Sequence, residues 1–264
     1  MTPFFDLYNT IFRSIDIKLI QWLYKVNNRY VVLWNMKEII VKDNVLINAS
    51  YDLDLVEQRL ILLAIVEARE TGKGINADNA LTVHASSYMN HFHVEKHTAY
   101  FVMKQASENL FERQFSYQFT NEKGNLEFVK SRWVSEVRYV EKEALIKLIF
   151  SPSVVPLITR LEKHFTSYEL KQVNRLSSRY AVRLYEMLIA WRSLGKTPIF
   201  ELQEFRYQLG IQKDEYKRME LFKRRVLEAA IIQINNLTDI VVKYKQHKNG
   251  RVICGFSFTF QQIR

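Results

Sequence analysis

Cysteine is almost absent from this sequence: Cys254 is the single one among 264 residues. An internal disulfide and a cysteine-ligated zinc site are therefore excluded, and such usage fits a reducing, cytoplasmic setting. The surrounding "RVICGFSF" predicts a strand with the Cys254 thiol buried in it. Glycine and proline are scarce too, at 7 and 4 residues, which argues against disorder and against a glycine-rich cofactor fold. No stretch reaches the roughly 18 uninterrupted apolar residues of a membrane-spanning helix. Even the apolar residues 1–35 are interrupted by Asp6, Arg13, Asp16, Lys18 and Lys25, and they lack the basic start and small-residue cleavage site of a signal peptide. Carboxylates are scattered among basic residues, and no pairing of nucleophile with base stands out. The expectation is a binding protein rather than an enzyme, with no cofactor, no metal and no membrane partner.

What the sequence does have is positive charge and aromatic bulk. The formal net charge of +10 points to an anionic partner, nucleic acid before a membrane surface. With 17 Phe and 14 Tyr the chain can fill real cores, and its length suits one large domain or two small ones.

One motif invites a catalytic reading. Residues 190–197, "AWRSLGKT", fit the pattern of a phosphate-binding loop. Such a loop needs a strand before it, glycines within it and a helix after it. Here Tyr180, Leu184, Met187, Leu188 and Trp191 recur at helical spacing, so a helix enters. Trp191 to Leu194 are too bulky to wrap a phosphate, and Pro198 keeps a helix from following. Gly195 reads instead as a left-handed helix cap, with Lys196 near the negative end of the helix dipole.

From Asp52 the order of elements becomes legible. "DLDLVEQRLILLAIVEARE" is an amphipathic helix opened by a capping box of Asp54 and Glu57, with Leu53, Val56, Leu60, Leu63 and Ala64 on its buried stripe. A short strand "ALTVHA", helices "SSYMNHF" and "VEKHTAYFVMKQASENLFER", a hairpin of "QFSYQFT" with "LEFVKSRWVSEVRYV", and a strand "ALIKLIFS" follow. Pro152 and Pro156 mark a joint, after which a connecting helix and an extended link lead to a second pass. That pass runs helix "SSRYAVRLYEMLIAWRSL", strand "TPIFE", helix "LQEFRYQLG", long helix "YKRMELFKRRVLEAAIIQINN", and strands "TDIVVKYKQ" and "RVICGFSFTFQ" around a tight turn at Asn249 and Gly250. Helix, strand, helix, turn, helix and hairpin is the order of a winged helix-turn-helix. The expected fold is α+β, with two tandem winged helix-turn-helix domains at 36–150 and 151–264 and an N-terminal extension at 1–35.

The positive charge falls where the second of these would meet a duplex. Lys213, Lys217 and Arg218 stand at the start of the long helix, the end that enters a major groove, and Lys223, Arg224 and Arg225 follow. Phe222, Val226, Ala229, Ala230 and Gln233 form its expected inner seam. The hairpin contributes Lys243, Lys245, His247, Lys248 and Arg251, suited to phosphates or a minor groove. Arg175, Arg179 and Arg183 make a third basic row, although each is equally at home as a solvated residue, and Arg183 as a partner of Glu186.

Histidines crowd "HFHVEKH", where His93 and His97 share a helix face, with His84, His91 and Glu95 nearby. The His-hydrophobe-His triplet also marks rolling-circle nickases, with Tyr88 or Tyr100 as the nucleophile. Those histidines lie on a sheet strand, whereas this segment is helical and charged. Polar residues at a helix-turn-helix corner account for it more simply than a nickase or a metal site.

"VKDNVLINASYDLDLVEQRLIL", "LTVHASSY", "LSSRYAVRLYEML" and "FKRRVLEAAIIQINNLTDIVV" with "GRVICGFSF" together resemble the iteron-binding plasmid replication initiators, and most of all initiators of small cryptic plasmids and of circular DNAs from bovine milk and serum. The resemblance runs from about Ile39 to the C-terminus. It leaves residues 1–35 as an upstream in-frame extension, with Met36 the usual start. Ala229 stands where such initiators often have proline, predicting a straighter long helix. The resemblance implies a protein that binds direct repeats in double-stranded DNA at an origin, the second winged helix reading bases and the first holding phosphates. Adjacent DNA then opens, and the host initiator and replicative helicase are recruited. A dimer formed through the first domain would repress the protein's own promoter. On this basis Lys217, Arg218 and Arg224 specify sequence while Lys245, Lys248 and Arg251 position the duplex. The alternative is a transcriptional regulator of the same fold with no replication role.

Overall fold

A computed structural model of the chain describes residues 38–72, 77–159 and 164–263; the extension at 1–35 lies outside the described residues. The described chain opens with β1 (Ile39–Asp43), a short helix α1 (Asn44–Asn48) and β2 (Ser50–Tyr51). The first long helix, α2 (Leu55–Thr71), begins at the expected capping box: Glu57 N donates to Asp54 Oδ1 at 2.8 Å and Asp54 N donates to Glu57 Oε2 at 2.7 Å. It ends at Gly72, whose φ of 67° supplies the left-handed cap. Its buried residues run consecutively from Leu60 to Val66, so this helix is enclosed on most sides rather than along one stripe. Val56, expected on the stripe, is half-buried.

Next come β3 (Leu81–His84), α3 (Ala85–Phe92) and α4 (Lys96–Leu110). The turn between the two helices is made by His93 at φ 54°. Four strands follow: β4 (Gln114–Thr120), β5 (Leu126–Arg132), β6 (Val134–Val140) and β7 (Leu145–Phe150). The stretch 126–140, expected as one hairpin arm, is thus two strands belonging to different sheets. β5 stays in a sheet of order β2-β4-β5, and β6 joins one of order β3-β7-β6. The break falls at Trp133, which is fully buried, 4.9 Å from the Tyr51 ring and 5.2 Å from that of Phe115. The indole is buried against the rings of the β2-β4-β5 sheet at the point where the chain passes from that sheet to the other. The wing of the first winged helix is therefore β6–β7.

The joint holds a short helix, α5 (Val155–Thr159), and then β8 (Phe165–Glu169). β8 pairs antiparallel with β1, from Ile39 opposite Glu169 to Asp43 opposite Phe165. The second pass begins with α6 (Arg179–Ile189), capped by Ser178. β9 (Phe200–Glu201) and α7 (Leu202–Gln208) follow, the Glu201 carboxylate accepting from Gln203 N and Glu204 N.

The long helix is interrupted: α8 (Met219–Phe222), a π-helical turn Lys223–Glu228, then α9 (Ala229–Leu237). The turn just before Ala229 is π-helical, a feature that the expectation of a straighter helix at Ala229 did not include. The observed seam is Phe222, Val226, Leu227, Ala230 and Ile234, with Ala229 and Gln233 only half-buried. Burial every fourth residue drifts around a 3.6-residue helix, and a wider turn absorbs the drift.

β10 (Ile240–Asn249) and β11 (Val252–Gln262) complete a sheet of order β10-β11-β9. The hairpin turns on Gly250 and Arg251, one residue beyond the expected pair. Only Gly250 has positive φ, at 60°, as a turn with glycine first requires. Between His247 and Lys248 the register slips, leaving Cys254 as the extra residue on β11. This bulge puts the Cys254 thiol outside, not in the interior as expected. The core beneath is aromatic: Phe205 lies 6.2 Å from Phe222 and 5.7 Å from Phe258.

The phosphate-loop look-alike is part of this sheet. Gly195 has φ 62° and its N–H donates to Trp191 O; Thr197 N donates to Phe258 O and Phe260 N to Gly195 O. These backbone groups are spent on helix end and sheet edge rather than curled around a phosphate. Among the described residues no helix is long and apolar enough to cross a membrane.

Candidate nucleic-acid interface

The loop between α7 and α8 carries three exposed cations of the second winged helix. Lys213 is exposed, Lys217 keeps 68 % of its side-chain surface, and Arg218 keeps 73 %. Lys217 and Arg218 do not lie within the helix as expected: Lys217 precedes it and Arg218 is its N-cap residue. Both are held by exposed carboxylates, Lys217 by Asp214 at 2.6 Å and Arg218 by Glu220 at 3.0 Å. Arg224, one turn on, also reaches Glu220, at 3.7 Å. Such solvated pairs are weak and are readily exchanged for another anion. Arg225 is exposed as well.

Lys223 is turned differently. It keeps 28 % of its side-chain surface, and its ammonium lies 3.5 Å from Gln246 Oε1, 3.9 Å from Glu228 and 5.9 Å from the centre of the Tyr244 ring. It closes the gap between helix and hairpin. Beside it the Tyr244 hydroxyl donates to Glu228 at 2.9 Å, and burial together with that carboxylate pushes the phenol up to about 12. On the hairpin Lys243, Lys245, Lys248 and Arg251 are exposed. His247 is half-buried, with Nε2 2.7 Å from Ser257 Oγ.

The third basic row does not exist as a surface. Arg175 is exposed, but Arg183 keeps 1 % of its side-chain surface. Its guanidinium donates to Tyr51 Oη, Glu186 Oε2 and the carbonyls of Ile47, Ala49 and Gln208. Every donor is directed inward, so Arg183 is no phosphate ligand. Arg179 is partly buried and paired with Asp52 and with Glu215, the latter at 3.5 Å. Its expected place on a basic row is also corrected, because it is partly buried and both of its partners are half-buried carboxylates of this chain.

The same interior holds a carboxylate node. Lys42 Nζ, Tyr168 Oη and Arg183 donate to Glu186 at 2.6, 2.5 and 3.1 Å. Burial alone would raise this carboxyl, but the Lys42 ammonium and the Arg183 guanidinium hold it below the ordinary carboxylate value. Burial in turn pulls the Lys42 ammonium down against the attraction of Glu186. With two cations and two hydroxyls facing it, Glu186 is the ionised centre of the group.

The histidine cluster disperses. His93 makes the left-handed turn, His91 bonds Ser87 O and Glu38, and His84 and His97 are exposed. Tyr88 is buried. Among the described residues no group of histidine, cysteine or acidic side chains could hold a metal.

Two residues of this region carried no signal in the sequence. Arg206 on α7 donates to the carbonyls of Glu215 at 2.6 Å and Tyr216 at 3.2 Å, and Tyr216 has φ 45°.

Two winged helices in one chain, the second with a cationic helix entry and hairpin tip, define a tandem winged-helix protein. Residues 39–189 match the family described as "Initiator Replication protein, WH1", and residues 201–260 match "Initiator Rep protein, WH2". The chain belongs to this family of replication initiators. It is 24 % identical over 216 residues to a replication initiation protein of Escherichia coli, spanning 79 % of this chain and 66 % of that one. An uncharacterized 27.6 kDa protein of Escherichia coli is 25 % identical over 84 % of this chain and 95 % of its own. Among solved structures, the Pi initiator protein in complex with iteron DNA has the same fold. Its TM-score is 0.64 at 22 % identity, covering 86 % of this chain and 98 % of that one.

Proposed function

We propose that this protein is a plasmid replication initiator that binds direct repeats in double-stranded DNA at an origin. The observation that carries the proposal is the exposed cationic entry to residues 219–237, with Lys213, Lys217 and Arg218 free of burial. A helix N-terminus of this kind is what helix-turn-helix proteins place in a major groove. Arg218 and Arg224 offer guanidinium forks to guanine O6 and N7. Lys245, Lys248 and Arg251 on the hairpin hold phosphates. Membership of the initiator family supports the reading, as does sharing the fold of a protein solved on iteron DNA.

On this reading residues 151–264 specify sequence, while residues 36–150 hold phosphates and form a dimer that represses the protein's own promoter. The bound monomer opens adjacent DNA and recruits the host initiator and helicase. The source is a small cryptic plasmid or a related circular DNA of the kind recovered from bovine milk and serum. Two measurements test this. Selection from a randomised duplex pool should enrich one short sequence, and that sequence should recur in tandem beside the reading frame. A circle carrying those repeats should replicate only when the protein is supplied. Enrichment without replication would leave a regulator of the same fold; no enrichment would end the proposal.

A further inference from the structure

We infer that Arg206 is a positioning residue for base reading, acting by holding Tyr216 in a left-handed backbone conformation that aims Lys217 and Arg218. The inference rests on the proposed reading of DNA by residues 213–224. Tyr216 has φ 45°, a region that a bulky side chain rarely enters. Surrounding structure must over-determine such a residue for it to persist. Here the turn 212–218 is gripped twice from within the second winged helix, by α7 on one side and by the start of α6 on the other.

The inner grip is Arg206. Its Nη2 donates to Glu215 O at 2.6 Å and its Nη1 to Tyr216 O at 3.2 Å. One planar fork thus takes the two carbonyls that flank the left-handed residue's own N–H and Cα. The same guanidinium carbon lies 5.2 Å from the centre of the Phe222 ring, and Phe222 is the fully buried residue of the first helical turn. Arg206 therefore touches the turn and the start of the helix together, fixing the angle between them. The outer grip is the Glu215 side chain, which accepts from Gln212 N at 3.0 Å and faces Arg179 at 3.5 Å. It holds the loop without touching Tyr216's backbone.

The consequence is geometric. Lys217 and Arg218 directly follow Tyr216, so a change at its φ swings both. Were Tyr216 to relax to negative φ, both would leave their present place, whereas the hairpin cations would not move. Loss of Arg206 should therefore reduce preference for one sequence more than general attraction to DNA.

The experiment compares the full chain with Arg206→Met, Arg206→Lys, Tyr216→Gly and the double variant Arg206→Met/Tyr216→Gly. Affinity is measured on the duplex enriched by the wild type from a random pool and on its scrambled counterpart, with thermal melting alongside. Arg206→Met and Arg206→Lys should each lower the ratio of matched to scrambled affinity about tenfold, because a lysine has no fork. Scrambled binding should change less than threefold. Tyr216→Gly loses the ring packed 6.0 Å from Tyr180 and should melt lower, yet it should keep most of the ratio. In the double variant glycine adopts positive φ unaided, and the ratio should return to within about threefold of Tyr216→Gly alone. An unrestored ratio in the double variant would overturn the inference, since a lost phosphate contact or a lost core contact would not be rescued by glycine. Equal losses on both duplexes would overturn it too. Absence of any preference in the wild type would instead remove the proposed function on which the inference rests.

Discussion

Lys42 Nζ and Glu186 Oε1 lie 2.6 Å apart in the interior, joining the first strand of the described chain to the helix that opens the second winged helix. Removing one member of a buried pair leaves the other charged without a counterion, at a cost of about 3–5 kcal/mol. Glu186→Gln should lower unfolding free energy by about that amount at neutral pH, measured by urea titration. The pH dependence has a definite sign. The folded Glu186 carboxyl titrates below its unfolded counterpart, near about 4.3, because two cations outweigh its burial. Its contribution is present above the unfolded value and is lost as pH falls through the folded one. The gap between wild type and Glu186→Gln should narrow from about pH 5 downward; a constant gap would show that the carboxylate is not the source of the stability.

Gly210 is held against Tyr51, and alanine there should be severe. Gly210 has φ +72°, and an added Cβ would come 2.2 Å from Tyr51 O. The left-handed conformation alone costs an alanine about 1–2 kcal/mol, and the overlap with backbone adds to it. The expected result for Gly210→Ala is a loss above about 2 kcal/mol with DNA-independent melting as the readout. Gly124→Ala, where no atom lies within 4 Å, should lose only the conformational part.

Base reading and phosphate holding separate at Arg218 and Lys248. Arg218→Ala should cost about 1–3 kcal/mol on the selected repeat and relax preference at one base position. Lys248→Ala should weaken matched and scrambled duplexes alike and reduce the salt slope by about one unit. Titrations at several salt concentrations distinguish the two, and identical behaviour of both variants on both duplexes would exclude residues 219–237 as the reader.

Cys254 should react with a thiol reagent in the native state. It stands outward at the slip between His247 and Lys248, and it is exposed. Labelling without denaturant should be complete and should leave melting nearly unchanged; labelling only on unfolding would return the thiol to the interior.

The legible parts of the fold were those with local rules. The capping box at Asp54 and Glu57, the left-handed glycine at Gly195 and the order of elements within the second winged helix all follow from short-range chemistry. Trp133 was not legible because alternation of period two continues across a chain that changes sheets. Cys254 was lost to a single inserted residue, which reverses the face of everything beyond it until pairing resumes. The π turn at Lys223–Glu228 leaves no mark in composition. Arg183 reads from sequence like any arginine three residues before a glutamate, and only the packing of Tyr51 and α1 above it makes that pair internal. The cationic entry at Lys213, Lys217 and Arg218 was visible as charge, but the turn that aims it was not, since Arg206 and Tyr216 belong to no periodic pattern.

The pairing of β8 with β1 has a mechanical outcome. The chain that leaves the first winged helix is stitched back onto that helix's own first strand. Beyond it, Ser177 N donates to Gln233 at 2.8 Å, so the short remaining stretch is pinned to the second winged helix as well. The joint is thus hydrogen-bonded to the domain on either side of it. On the proposed function, a reading head and a phosphate-holding head set at a fixed pitch behave as a caliper: they gauge the distance between two stretches of groove as well as the letters within one of them. Half a helical turn of DNA, about 5 base pairs, inserted between those stretches would carry one of them to the far side of the duplex and out of the caliper's jaws.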